Sequence, residues 1–332
     1  MVTNIPQPGL PLLQVQALSL SFRRQEQVVD RVSFNLAAGR TLGLVGASGA
    51  GKSSIARAIL HLIKPDAGNI LFHGKNISSM DPGQLKEARR RIQIVFQEPS
   101  ASLSPRRTVA QTLLEPLRHF AIGDSDYRQD RIRQTLQTVG LDADVLQRYP
   151  HQFSSGQQQR IAIARALVTN PDLLIADEAV SALDVSVQAR ILQLIQTLQT
   201  EHGIAFLFIS HDLAVIRQVA DEVAVMYRGQ LLEHSPADRF FSRPAHPYSK
   251  ALLAFASFDS SSQPPIGWLP AGHEPAGGSS ACVYAGMCAD TMPVCERLEP
   301  EYYKSQHKQQ PHCVKCHLYN EEHANETWTE VN

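Results

Sequence analysis

The sequence lacks an excess of either charge. Lysine and arginine total 31 and aspartate and glutamate total 32, so the formal net charge of the 332 residues is −1. Proteins that bind nucleic acid or an anionic membrane over a broad surface usually carry a marked positive charge. The composition therefore gives no reason to expect nucleic acid as a partner, and any site for a polyanion must be local.

Long apolar runs are also missing. The longest, at residues 204–209 and 251–256, are far shorter than the roughly 20 residues that cross a bilayer. The first 22 residues contain no lysine or arginine and no apolar segment of the length found in secretory signals. We therefore expect a chain that does not span a membrane and that resides in the cytoplasm.

Cysteine is absent from most of the chain, and all five cysteines lie after residue 281. An odd number of cysteines in a reducing compartment argues against a disulfide framework. Metal binding by this cysteine-rich end is the question that remains.

The patterns that are present predict an α/β protein. Short apolar segments typical of strands occur at residues 13–20, 28–36, 41–45, 68–72, 173–176, 205–209 and 223–226. Helical periodicity is found at residues 53–62, 127–139, 157–168, 187–201 and 213–219. We predict two α/β halves separated by a helical subdomain at about residues 100–168. A segment rich in serine, proline and glycine at about 257–280 predicts a linker before the cysteine-rich end.

A phosphate-binding loop carries the strongest chemical signal. Residues 46–53 fit the pattern G-x-x-x-x-G-K-[ST] directly after an apolar strand and before a helix. In that context the backbone N–H groups surround the phosphates of a nucleotide, Lys52 reaches the β and γ oxygens, and Ser53 ligates Mg²⁺. The predicted nucleotide contacts are Gly46, Ala47, Ser48, Gly49, Ala50, Gly51, Lys52, Ser53 and Ser54.

Two carboxylates at the end of a later apolar strand complete a nucleotide-hydrolysis pattern. Asp177 and Glu178 follow the apolar segment 173–176. Two acids at a strand end are more often an exposed turn, but after a phosphate loop they suit a Mg²⁺ ligand and a base beside the attacking water. We assign Asp177 to the metal and Glu178 to the base.

Further motifs, in order, resemble those of the ATP-binding-cassette (ABC) ATPases. Residues 153–157 read Phe-Ser-Ser-Gly-Gln and resemble the signature of that family, and residues 181–184 and 209–212 resemble its D-loop and its switch region. The resemblance implies a P-loop ABC cassette with a helical signature subdomain. It also implies that Gln97, in the Q-loop, contacts Mg²⁺ or water and that His211 contacts the γ-phosphate. Phe22 is our choice for the ring that stacks on adenine.

In the family two cassettes close around ATP. The resemblance therefore implies that Ser154, Gly156 and Gln157 of one cassette contact the γ-phosphate held by another. The chain has one phosphate loop and one signature, so it needs a second cassette, identical or paralogous. Phe153 and Ser155 replace the usual Leu and first Gly of the signature, and Ala179 stands where Pro is common. We expect slower hydrolysis, not its loss, because a serine restricts the backbone more than a glycine.

Two segments resemble the dipeptide and oligopeptide importer branch. These are residues 93–109 and residues 240–252, the latter with His246-Pro247-Tyr248, which we interpret as a packing turn. The predicted cassette spans residues 12–256, with the branch-specific extension beginning at about 235, and residues 257–332 form the linker and a cysteine-rich extension. The resemblance implies two permease subunits, an extracytoplasmic solute-binding protein and a place on the cytoplasmic face of the inner membrane.

The cysteine-rich end resembles an extension that in some of these ATPases carries a [4Fe–4S] cluster. The resemblance implies Cys282, Cys288, Cys295 and Cys316 as ligands, with Cys313 as an extra thiol. Zinc and free thiols are the alternatives, since Cys313-x2-Cys316 has knuckle-like spacing.

Other functions stay open at this point. The cargo of a related importer could be nickel, glutathione or an antimicrobial peptide. A soluble, non-transport ABC ATPase predicts a second cassette or a coiled-coil insertion, and a small-molecule kinase would lack the signature and the switch histidine. A redox sensor with a vestigial ATPase conflicts with intact Lys52, Asp177 and Glu178.

Overall fold

The computed structural model describes residues 11–22, 26–98, 102–256, 281–305, 312–320 and 328–330. The predicted linker at 257–280 lies outside these ranges. None of the helices in the described part of the chain combines the length and the apolar character that crossing a bilayer requires.

The described strands form two sheets. The smaller is antiparallel, with the order β2-β1-β4-β5, and the larger has the order β13-β11-β12-β10-β9-β3-β8-β7-β6. The strands are β1 Leu13–Phe22, β2 Glu26–Leu36, β3 Thr41–Val45, β4 Ala67–Phe72, β5 Lys75–Asn76, β6 Ile92–Phe96, β7 Leu173–Asp177, β8 Ala205–Ser210, β9 Glu222–Tyr227, β10 Gln230–Pro236, β11 Tyr302–Ser305, β12 Cys313–Lys315 and β13 Trp328–Glu330.

The longer helices surround the larger sheet and confirm the α/β prediction. They are α1 Lys52–Ile59, α2 Pro82–Arg91, α3 Val109–His119, α4 Ser125–Thr138, α5 Ser155–Leu167, α6 Val185–His202, α7 Leu213–Val219, α8 Ala237–Ser242 and α9 Pro247–Ala256. Helices α3, α4 and α5 lie between β6 and β7 in the chain and pack on one another. They form the helical subdomain that the sequence predicts.

The parallel part of the larger sheet divides the core. Strand β8 is buried on both faces, and its residues alternate between two apolar clusters, as a central strand requires. Phe206 and Phe208 pack in the cluster that contains the helical subdomain, whereas Leu207 and Ile209 pack with α1 and the antiparallel sheet. The phosphate loop follows β3, at an edge of this sheet whose central strands are packed on both faces.

Helix α1 ends earlier than the periodicity predicts. The apolar pattern continues to residue 62, but the helix ends at Ile59, and His61 has a left-handed φ of 52°. The Arg89 side chain donates hydrogen bonds to the carbonyls of Leu60 and His61, at 3.0 and 2.9 Å. A contact from a distant helix thus satisfies carbonyls at the end of α1.

The cysteine-bearing end continues the main sheet. Strand β12 pairs antiparallel with β10, with Glu233 opposite Val314, and β11 pairs with β12. These two strands were not predicted, because segments of three or four residues are too short to show a periodic pattern.

Candidate functional site

Three parallel strands bring the predicted ATP-site residues to one edge of the sheet. Strand β3 pairs with β8, with Val45 opposite Ser210, and β8 pairs with β7, with Ile209 opposite Asp177. The segments that follow these strands carry the phosphate loop, His211 and Glu178. They converge because the carboxyl ends of parallel strands share one edge, where ligands bind in such folds.

The phosphate loop has a backbone that requires glycine at its start. Gly46 has a φ of +147°, and a Cβ atom there would lie 2.1 Å from the carbonyl oxygen of Met226 on the neighbouring strand. Gly51, the residue before α1, has a φ of +98°. The loop is therefore held against β9 at a distance that a side chain would prevent.

Lys52 is a buried cation folded across this loop. Its Nζ donates hydrogen bonds to the carbonyl oxygens of Gly46 and Ala47, at 2.7 and 2.9 Å. Burial lowers the pKa of Lys52, although the nearby carboxylates of Glu178 and Asp177 oppose the shift. The Lys52 ammonium group is hydrogen-bonded only to neutral carbonyl oxygens here, and the phosphate oxygens of a nucleotide in the loop would give it negatively charged partners.

A hydroxyl and a carboxylate meet beside Lys52. The Ser53 Oγ donates to the Asp177 Oδ1 at 3.0 Å. Burial raises the pKa of Asp177, and the Ser53 hydrogen bond and the charges of Arg57 and Lys52 oppose that shift. Oxygen ligands of this type suit Mg²⁺, which usually takes one or two protein ligands and completes its shell with water and phosphate oxygens. The predicted pair is therefore adjacent and of the right chemistry.

Glu178 and His211 form a second pair. The His211 Nδ1 lies 2.9 Å from the Glu178 carboxylate. Glu178 has a left-handed φ of 53°, a conformation that costs a non-glycine residue energy and concentrates at functional sites. Its backbone is fixed by a hydrogen bond from its N–H to the Ile209 carbonyl, at 3.0 Å. The neighbouring strand thus supports this unfavourable conformation of the carboxylate residue.

A cavity of about 630 Å³ lies beside Lys52, Ser53 and the Glu178–His211 pair, and Asp177 lines the cavity next to it. Residues 48–54 of the loop, Gln97, Glu178 and His211 line it. Gln97 also lines an adjoining cavity of about 590 Å³ with Phe96, Arg57 and Arg165. Gln97 therefore lies between the nucleotide cavity and a second open groove.

The signature residues lie apart from this cavity. Ser154 is the N-cap of α5 and accepts a hydrogen bond from the Gln157 N–H at 3.4 Å, and the Gln157 side chain accepts one from the Ser154 N–H. Ser154 is exposed, and none of the three predicted signature contacts lines the cavity. An exposed helix N-terminus is suited to an anion brought by another molecule.

The three departures from the signature pattern lie in different surroundings. Phe153 is 7% exposed. The guanidinium carbon of Arg148 lies over the Phe153 ring, 4.3 Å from the ring centroid. Ser155 is the first residue of α5 and is not among the described residues with positive φ, so serine adds no backbone strain there. The Ala179 carbonyl accepts a hydrogen bond from the buried Gln159 side chain at 2.6 Å. None of these three residues disturbs the groups that line the cavity.

Phe22, the predicted adenine ring, is the last residue of β1. Its side chain lies outside the part of the structure that is described, and its role stays a prediction.

The charge on one thiol raises the pKa of another within a group of four of the five cysteines, Cys282, Cys288, Cys295 and Cys316. Burial, and to a smaller extent the thiols of Cys282, Cys288 and Cys295, raise the pKa of Cys316 to about 12. The pKa of Cys313 is raised by burial and opposed by Lys304, with no contribution from the other thiols. Within the described ranges, no group of three or more His, Cys, Asp or Glu residues has the arrangement expected for a single metal ion. The predicted set of four cysteine ligands stays a prediction.

The positions of two residues beside the loop were not predicted from the sequence. Val28, on β2, lines the nucleotide cavity, and nothing in its sequence context marks it. The Ala47 N–H of the phosphate loop donates a hydrogen bond to the Tyr248 hydroxyl at 3.1 Å. Tyr248 belongs to the His-Pro-Tyr segment, which was visible as a motif, but its contact with a loop 201 residues away was not.

Comparisons with known proteins agree with the motifs. A family model described as ABC transporter matches residues 29–181. A Brucella ovis protein provisionally named peptide import ATP-binding protein is 41% identical over 310 residues, covering 89% of this chain and 97% of the relative. The glutathione import ATP-binding protein GsiA of Salmonella paratyphi A is 48% identical over 256 residues, covering 74% of this chain and 41% of GsiA.

Solved structures share the fold. The cbiO1 protein of Clostridium perfringens, part of the ABC transporter complex cbiONQ, matches with a TM-score of 0.65 and 26% identity, covering 70% of this chain and 91% of that one. The dimeric cassette MJ0796 bound to ADP and Pi matches with a TM-score of 0.60 and 27% identity, covering 68% of this chain and 98% of that one.

Proposed function

Because this chain belongs to the ATP-binding proteins of the ABC transporter family, we propose that it binds MgATP at residues 46–53 and hydrolyses it to drive a peptide importer. The observation that carries the proposal is the convergence of Lys52, Ser53 and the Glu178–His211 pair at one cavity, with Asp177 hydrogen-bonded to Ser53 at the adjoining one. The 41% identity to a relative provisionally named for peptide import supports the class of cargo.

Each group has a chemical role in this proposal. The loop N–H groups and Lys52 bind the phosphates, while Ser53 and Asp177 would hold Mg²⁺, with Gln97 reaching the same ion or a water. Bound Mg²⁺ supplies positive charge to the β and γ oxygens. Glu178 accepts the proton of the attacking water, and His211, hydrogen-bonded to Glu178, orients that carboxylate and contacts the γ-phosphate. Phe22 stacks on adenine.

A second cassette completes the site. Ser154, Gly156 and Gln157 lie at the N-terminus of α5, away from the cavity of their own chain; Ser154 is exposed, Gln157 is half-buried and Gly156 is buried. In the proposed dimer they contact the γ-phosphate bound by the partner cassette, since a helix N-terminus offers free N–H groups to an anion. ATP would then hold two cassettes together, and hydrolysis would release them.

The groove beside Gln97 is the proposed contact with the membrane subunits. It is lined by Phe96, which is 38% exposed, and by Arg57, Glu98 and Arg165. A short cytoplasmic helix from each of two permeases would dock there, which places the chain on the cytoplasmic face of the inner membrane. An extracytoplasmic solute-binding protein would deliver the cargo without contacting this chain.

Glutathione is a second candidate cargo. The observation in its favour is the 48% identity to GsiA over 256 residues. Uptake of labelled glutathione and of labelled dipeptides by cells with and without this chain separates the two cargoes.

The proposed activity is tested with Glu178→Gln and, as a matched control, Glu201→Gln, an exposed residue on α6. Tagged chains are purified gently from native membranes, the associated proteins are identified by mass spectrometry, and hydrolysis is measured. We expect two permeases and a second cassette with each variant. We expect hydrolysis to fall about 100-fold or more only in Glu178→Gln, because a general base contributes roughly 10²–10⁴. Wild-type turnover in Glu178→Gln, or ribosomal or DNA-bound partners, would refute the proposal.

We further propose that Cys282, Cys288, Cys295 and Cys316 hold a [4Fe–4S] cluster, for which four thiolates suffice. Their mutual influence, and the exclusion of Cys313 from it, support this set. Iron and acid-labile sulfide are measured in anaerobically purified protein. We expect both in the wild type and in Cys313→Ser, and neither in Cys288→Ser. Zinc in place of iron, or no metal in the wild type, contradicts the proposal.

A further inference from the structure

The hydrogen bond between the Ala47 N–H and the Tyr248 hydroxyl joins the phosphate loop to the C-terminal part of the chain. Tyr248 lies on α9, outside residues 29–181, which the family model matches. We propose that Tyr248 is a positioning residue that fixes the phosphate loop in its nucleotide-binding conformation. This inference rests on the proposal that residues 46–53 bind ATP.

The contact is made by a group that has little freedom to move. Tyr248 is 4% exposed. Its ring centroid lies 4.7 Å from that of Tyr227 and 5.3 Å from that of Tyr284. Tyr227 ends β9, next to the strand that leads into the loop, and Tyr284 lies between two of the grouped cysteines. The hydroxyl is thus presented to the loop from a packed cluster of three phenol rings.

The backbone that carries Tyr248 is equally fixed. Its N–H donates to the His246 Nδ1 at 2.9 Å. The Glu233 carboxylate, which is fully buried, accepts hydrogen bonds from the N–H groups of Ala245 and His246, at 2.9 and 2.8 Å. His312, from the C-terminal end, lies with its Nε2 2.8 Å from the same carboxylate. One buried acid therefore joins β10, the segment before α9 and the C-terminal end into a rigid support.

The loop depends on this support at one of its amides. Lys52 occupies the carbonyl oxygens of Gly46 and Ala47, and the Ala50 carbonyl accepts a hydrogen bond from the Gly229 N–H at 3.2 Å. The Tyr248 hydroxyl is the partner of the Ala47 N–H. Without it, the Ala47 N–H would lose its partner within the protein, and this peptide group would be freer to rotate.

The test uses Tyr248→Phe, which keeps the ring and removes the hydroxyl. Tyr227→Phe is the matched control, because it removes a hydroxyl from the same cluster of rings. The Tyr227 hydroxyl donates to the Met287 sulfur, at 3.7 Å, and not to the loop. For each full-length chain the dissociation constant of MgATP is measured by calorimetry. Hydrogen–deuterium exchange of a peptide covering the phosphate loop is measured without nucleotide.

We expect Tyr248→Phe to weaken MgATP binding about fivefold, equivalent to ~1 kcal/mol, and to speed exchange in the loop peptide. Tyr227→Phe should change neither by more than about twofold. Equal affinities and equal exchange in the wild type and Tyr248→Phe would overturn the inference. So would equal losses in both variants, because the effect would then come from ring packing.

One measurement needs no variant. In the wild-type chain without nucleotide, the Ala47 amide should exchange at least about 100-fold more slowly than in an unstructured peptide, and unprotected exchange would overturn the inference. If the wild type fails to bind MgATP, the proposed nucleotide site is wrong, whereas the exchange difference between the variants still reports the Tyr248 contact.

Discussion

Gly156 offers a sharp test of how the signature helix is packed. A Cβ atom at this position would lie 2.4 Å from the Val187 Cγ1, a side-chain atom on α6. No positive φ is involved, so the requirement for glycine is one of space and not of backbone conformation. Gly156→Ala should therefore lower the free energy of unfolding only as long as the Val187 side chain is present.

The magnitude follows from two opposing effects. Inserting a methyl group into a packed contact costs about 1–3 kcal/mol. Alanine is favoured over glycine inside a helix by up to ~1 kcal/mol, and less in the first turn, where Gly156 lies. We therefore expect Gly156→Ala to lower the free energy of unfolding by about 1–2 kcal/mol. A chain of this size should show this as a fall in melting temperature of roughly 1–3 °C.

A double-mutant cycle separates the clash from other effects. Val187→Ala removes the clashing atoms at a cost of about 1 kcal/mol, since the residue is only partly buried. In that background Gly156→Ala should cost nothing, which corresponds to a coupling of about 1–2 kcal/mol between the two sites.

The assay is thermal unfolding by calorimetry of the four chains at one pH and without nucleotide. Additive losses, with the double variant less stable than either single variant, would falsify the packing explanation. The same result would show that the glycine is required for a reason other than Val187.

Two further predictions concern pH and the phosphate loop. Burial lowers the pKa of His246 from 6.5 to about 4. Between these pH values the unfolded chain binds a proton that the folded chain does not. The free energy of unfolding should therefore fall as the pH drops from about 6.5 towards 4, by up to about 3 kcal/mol. His246→Asn keeps an acceptor for the Tyr248 N–H and cannot titrate, so chemical unfolding curves should depend less on pH in this range, and an unchanged dependence contradicts the assignment. Gly46→Ala should abolish MgATP binding measured by calorimetry, because the new Cβ would lie 2.1 Å from the Met226 carbonyl oxygen. Gly49 has a φ of +79°, and a Cβ atom there would meet no other part of the chain within 4 Å. Gly49→Ala should therefore cost only about 1–3 kcal/mol of backbone strain. Similar affinities in the two alanine variants would contradict this reading of the loop.

The central strands and the ATP motifs could be predicted because their signals are local. Residues 41–45 form a continuous apolar run that stops at the phosphate loop, and β3 has these bounds. Helix α7 was likewise predicted with its observed bounds, Leu213–Val219. A buried parallel strand and an amphipathic helix each impose their own periodicity on the chain.

Other elements are decided by contacts that periodicity does not record. Helix α1 ends at Ile59 because the chain turns left-handed at His61 and Arg89 takes up the carbonyls there. Strands β11 and β12 are too short to show an alternating pattern, and they exist because β10 offers an edge to β12, which in turn pairs with β11. Tertiary pairing overrides weak local preference in such segments.

The motifs could be found in the sequence alone because the residues of each one are neighbours in the chain: the phosphate loop, the two acids at a strand end and the segment that resembles a signature. Which of these groups meet depends on the tertiary structure. It brought His211 to within 2.9 Å of Glu178 and the Tyr248 hydroxyl to within 3.1 Å of the Ala47 amide. The signature residues remain away from their own nucleotide cavity. These relations depend on strand order and on burial, and residues that are far apart in sequence leave no periodic trace of a contact that folding creates.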